Sequence, residues 1–103
     1  MIDLPAFVRI PPSVLWSSVG GDVVIMDINL GEYFKLANAS ACIWEAFSKD
    51  GSVERAVEAT LESFDVDRQT LMTDVGELIA ELSRKGLLEI EAESASIAPA
   101  TRR

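Results

Sequence analysis

Apolar residues follow two rhythms along this chain. Up to about residue 36 they come in short blocks or alternate with polar residues. From residue 39 onward they recur every three or four positions. The first rhythm predicts strands and the second helices. Val14 to Ser18 reads as a first strand, and Gly20-Gly21-Asp22 as a hairpin turn. Val23 to Asp27 is the strongest strand, with Val, Val, Ile and Met in succession before Asp. Ile28 to Gly31 turns the chain back. Asp27 can accept hydrogen bonds from the turn backbone, and Gly31 can take a positive φ. Glu32 to Leu36 is a third strand. Short turns make these strands an antiparallel meander whose middle strand is apolar on both faces.

Three helices are predicted next. Asn38 or Ser40 caps the first, which buries Ala41, Ile43, Trp44 and Phe47. Asp50-Gly51 ends it and Ser52 caps the second, with Val53, Ala56, Val57, Thr60, Leu61 and Phe64 on one stripe. Asp67 opens the third and longest, about nineteen residues by this reading. Its stripe is Leu71, Val75, Leu78, Ile79 and Leu82. Lys85-Gly86 supplies a cation at the negative helix end and a left-handed cap. Leu87 to Ile90 reads as a short strand or a packed coil.

The fold class expected is α+β and winged-helix-like, a three-stranded antiparallel sheet followed by three helices. Residues 1–12 contain three prolines and read as extended and irregular. Residues 13–91 form the domain, and residues 92–103 read as a disordered tail. A three-stranded sheet with helices on one side buries only one face of its middle strand. Val23 and Ile25 share one face; Val24, Met26 and Ile28 share the other. Cover by the segment around Phe7 to Ile10 is the expectation for the second face, with self-association or a partner as alternatives.

Composition narrows the functional classes. The chain has 103 residues, a net charge of −8 and no histidine. An acidic chain without a Lys/Arg cluster does not suit nucleic acid. The lack of histidine removes the commonest general base, and one cysteine leaves no zinc set. No catalytic residues, metal or cofactor are therefore expected. Cys42 reads as a small buried hydrophobe. Trp16 suits core packing and a partner contact equally. No apolar run is long enough for a membrane span and no secretion signal is evident, so the expected location is the cytoplasm, without membrane association.

The order "DINLGEYFKLANASACIWEAF", then "GSVERAVEATLESF", then "DVGELIAELSRKGLLEIE" resembles the PqqD-like family, also called RiPP recognition elements. The likeness spans roughly residues 14 to 90. It implies a non-catalytic protein that binds the N-terminal leader of a ribosomally made precursor peptide. The leader would add as an antiparallel strand to the third strand, in a cleft closed by the third helix. Glu32, Tyr33, Phe34, Lys35 and Leu36 would form the docking edge, and Leu71, Asp74, Val75, Leu78 and Glu81 the opposing wall. An edge strand's unpaired backbone groups suit such docking. Met72, Gly76 and Ser83 lie on the opposite flank of the third helix, and the stripe alone does not say which flank meets the peptide. The acidic flank is the expected one, since it would suit a basic leader and Asp74-Val75 matches a pair common in the family. A merely solvated acidic face is the alternative.

The implied partners are the leader peptide and a leader peptidase or other modifying enzyme, with Trp16, Val24 and Met26, together with Tyr33, as candidate enzyme contacts. A stand-alone chain with this hairpin most resembles the leader-binding proteins of lasso-peptide clusters. The PqqD of cofactor biosynthesis carries a Leu-Leu-Ala-Pro-Glu-like run where this chain has "VVIMDINLGEY". A peptide chaperone for a radical enzyme in that pathway, and an acidic winged-helix interaction subunit, are the alternatives. A DNA-binding winged helix is disfavoured by Asp67, Asp74, Glu77 and Glu81 on the candidate recognition helix.

Overall fold

The computed structural model describes residues 4–91. Eight elements follow one another: β1 (Phe7–Arg9), β2 (Val14–Val19), β3 (Asp22–Asp27), β4 (Glu32–Leu36), α1 (Ala39–Asp50), α2 (Val53–Ser63), α3 (Arg68–Arg84) and β5 (Glu89–Glu91). The strands β2, β3 and β4 form the antiparallel meander, in that order across the sheet. The α+β class and the three-strand, three-helix order agree with the sequence reading.

Local chemistry accounts for the boundaries. Gly20 and Gly21 both take positive φ, 60° and 90°, as a two-residue hairpin requires. The buried Asp27 carboxylate accepts from the N–H groups of Asn29 and Leu30, and its carbonyl accepts from Gly31 at 2.7 Å. The Ser52 and Asp67 side chains cap α2 and α3 by accepting from Arg55 and Thr70. The third helix is 17 residues long and stops at Lys85, before Gly86 with φ 79°.

The core lies between the helices and one face of the sheet. Val23 and Ile25 are fully buried there, as are Ile43, Trp44, Val53 and Val75. Thr60, also fully buried, donates to the Ala56 carbonyl, and its hydroxyl oxygen lies 3.4 Å from Cys42 Sγ. Cys42 itself is only partly buried.

The structure departs from expectation at the chain's first segment. Residues 7–9 are not irregular: they form β1, which pairs antiparallel with β5. Val8 is buried in the core, Val53 N–H donates to the Ala6 carbonyl, and Arg9 pairs with Glu89 and Glu91. The Val8 N–H donates to Gly51 at 2.9 Å. The segment is thus spent on the α1–α2 corner and on β5, and it does not cover the outer sheet face. The physical reason is pairing: β1 satisfies its backbone groups against β5, which a lid across side chains could not do. Residues 92–103, read as a tail, lie outside the described residues.

Candidate functional site

Side-chain alternation divides the sheet into two faces. Cross-strand neighbours share a face, so Val14, Trp16 and Ser18 line up with Asp27, Ile25 and Val23, and these with Glu32, Phe34 and Leu36. This is the inner face. Leu15, Met26 and Tyr33 form a row on the outer face; Ser17, Val24 and Lys35 form the next. Phe34 and Leu36 therefore point inward and Tyr33 and Lys35 outward. Trp16 does not share a face with Val24 and Met26. It stacks edge-to-face on Trp44, with centroids 6.3 Å apart and planes at 80°. About a third of it is exposed.

β4 pairs with β3 on one side and, among the described residues, has no strand on the other. What stands near this free edge follows from two contacts. The Lys85 ammonium, at the end of α3, lies 5.3 Å from the centroid of the Phe34 ring. Near the start of α1, Ser40 and Ile43 close a cavity of about 60 Å³ against Leu71, Asp74, Val75 and Leu78 of α3. On α3, Asp74, Leu78, Glu81 and Lys85 are spaced i, i+4, i+7 and i+11, one stripe of the helix surface. That stripe faces the β4 side of the molecule. The opposite flank looks elsewhere: Met72 lines a cavity with Leu4, Pro5 and Ala6, and Gly76 lines another with Leu4, Pro5 and Ile90.

Three kinds of chemical group come together beside β4. The β4 backbone offers unpaired N–H and C=O groups. Phe34, Leu36 and Leu78, all partly buried, give it an apolar floor. Asp74 and Glu81 are exposed carboxylates on the helical wall. Lys35 on the outer side is paired with Asp22 at 3.3 Å. Sequence reasoning missed two residues here: Ser40, at the β4–α1 corner beside the core residue Ile43, and Lys85, which reads as a helix stop. The i+11 spacing from Asp74 was the available signal for Lys85.

Among the described residues, no three His, Cys, Asp or Glu side chains are grouped to hold a metal ion. Among the described residues, no helix is long and apolar enough to cross a membrane.

No curated protein matches the chain. Among solved structures, TbiB1 in complex with the TbiA(beta) leader peptide is similar. It is 28% identical, with a TM-score of 0.75, over 82% of this chain and 99% of TbiB1. Residues 22–88 match the family described as Coenzyme PQQ synthesis protein D (PqqD). That span runs from β3 through the free-edged β4 and all three helices to the buried Leu88. It includes both walls of the groove, and over it the chain belongs to the PqqD family.

Proposed function

We propose that this chain is a leader-binding protein of the RiPP recognition element type, acting in lasso-peptide biosynthesis. It captures the leader of a precursor peptide as a fourth strand on β4 and presents it to a leader peptidase or other modifying enzyme. The observation that carries the reading is the unpaired β4 edge beside the Asp74–Lys85 stripe of α3. The likeness to TbiB1, a protein solved with a leader peptide, supports it. Backbone pairing supplies sequence-tolerant affinity, while pockets for alternate side chains supply selectivity. Every second leader side chain enters the groove over Phe34 and Leu36. Asp74 and Glu81 suit a Lys or Arg in the leader.

Hydrogen exchange tests this directly. The probe is the TbiA(beta) leader. Saturating leader should slow exchange at residues 32–36 and leave β2 unchanged. Lys35→Pro should weaken binding by about tenfold or more, since proline disturbs the pairing edge. Unchanged exchange across residues 32–36 would refute the docking edge.

A further inference from the structure

We infer that this protein reads the order of charge along the leader: a basic side chain first, then an acidic one nearer the leader's C-terminus, with Lys85 receiving the acidic one. The inference rests on the leader-binding reading of β4.

Two contacts fix the direction of α3 against β4. Asp74, in the first half of α3, lines a cavity with Ala39 and Ser40, beyond the C-terminal end of β4. Lys85, at the other end of the helix, holds its ammonium 5.3 Å from the ring of Phe34, in the middle of β4. From Asp74 to Lys85 the helix therefore runs opposite to β4. A strand added antiparallel to β4, as β3 is, runs the same way as α3. Its residues pass Asp74 first, then Glu81, then Lys85. The charges they meet are negative, negative, positive.

The ammonium of Lys85 is placed to receive a carboxylate. Lys85 stands four residues after Glu81, the spacing of a helical Glu–Lys pair. Among the described residues it forms no ion pair with Glu81 or any other carboxylate, and lies over Phe34 instead. Lys85 and Phe34 are both partly buried. A ring face holds an ammonium weakly at such a site, and a carboxylate that also accepts a hydrogen bond holds it more strongly. The C-terminal end of α3 would by itself repel a carboxylate, but Arg84 and Lys85 offset that negative end. An acidic leader side chain over Phe34 therefore draws Lys85 to itself.

The helix also sets the spacing. From Asp74 to Lys85, i to i+11, it rises about 16 Å, the length of about five strand residues. Side chains on one face of a strand lie an even number apart, so the basic and acidic residues are about four or six apart. The reversed order puts an acid against Asp74 and a cation against Lys85, with repulsion at both ends.

The test exchanges order at constant composition. A Lys and a Glu, four or six residues apart, are placed at successive positions along the TbiA(beta) leader. Each peptide has a counterpart with the two exchanged. Fluorescence anisotropy with the full chain at low salt gives both affinities. At the best position the Lys-first peptide should bind about fivefold or more tightly than its counterpart, and high salt should narrow the gap. Lys85→Met removes the charge and should cut the gap to about twofold or less, while Lys85→Arg should keep it. If Lys85→Met melts early, Lys85→Gln replaces it. Equal affinities for the two orders at every position overturn the inference. So does a preference for Glu first, or a gap that survives loss of the Lys85 charge. Failure of every peptide to bind, the unaltered TbiA(beta) leader included, is a different result, which refutes the β4 reading itself.

Discussion

Asn38 carries the chain from β4 into α1 with φ 56° and ψ −127°, and its side chain makes no cap bond. Positive φ in a residue with a Cβ costs of order 1–3 kcal/mol, and such strain concentrates at binding sites. Here it lies two residues from Ser40, at the corner of the groove. Asn38→Gly should relieve it, since glycine loses only a few tenths as an N-cap. Stability in urea should rise by about 1 kcal/mol. A lower midpoint would mean that the Asn38 side chain holds the corner by a contact of its own. Trp44 shows a second local cost, because its buried indole N–H has no acceptor among the described residues. The edge-to-face contact with Trp16 is aromatic and does not satisfy that donor.

Among the elements, α3 carries the sharpest functional expectation. Asp74→Asn and Glu81→Gln should each weaken leader binding by about 0.5–2 kcal/mol at low salt, the range for exposed to partly desolvated charge contacts. Calorimetry measures it, and wild-type affinity in both variants would make the acidic stripe a solvated face. The α1–α2 corner makes the matching structural prediction. A Cβ on Gly51 would stand 2.4 Å from the Val8 carbonyl oxygen, at φ 74°. Gly86 has a similar φ but open space around it. Gly51→Ala should therefore cost about 1–3 kcal/mol, and Gly86→Ala about 1 kcal/mol or less, in urea unfolding. Equal costs would show that β1 yields easily. Much of this was legible in the sequence, because hairpins and caps depend on residues a few places apart: Asp27 with Gly31, Ser52 with Arg55, Asp67 with Thr70. The apolar stripe of α3 also revealed its core direction. It could not reveal what lies to either side, since that depends on which element the fold sets beside the helix.

At the scale of the whole molecule, the least legible feature was the pairing of β1 with β5. Arg9 and Glu89 are 80 residues apart, and three residues flanked by prolines carry little strand signal. The prediction for the N-terminal segment changes accordingly. Removing residues 1–9 should lower unfolding free energy by at least about 2 kcal/mol, from the burial of Val8 alone. Leader affinity of the folded fraction should hold, because β1 and β5 lie on the β2 side of the sheet and the groove lies on the β4 side. A truncated chain as stable as the full one, by urea unfolding, would show that β1 is dispensable.

The same pairing puts Phe7 directly across from Glu91. The backbone thus enters and leaves the folded unit through one doorway, on the flank away from the β4 edge. A unit wired in this way behaves as a cassette. It can be spliced into a surface loop of another protein, or joined to one at either end, without a linker passing over the groove. Both attachment points being neighbours, such a graft would ask its host for a gap of only one strand spacing, roughly 5 Å.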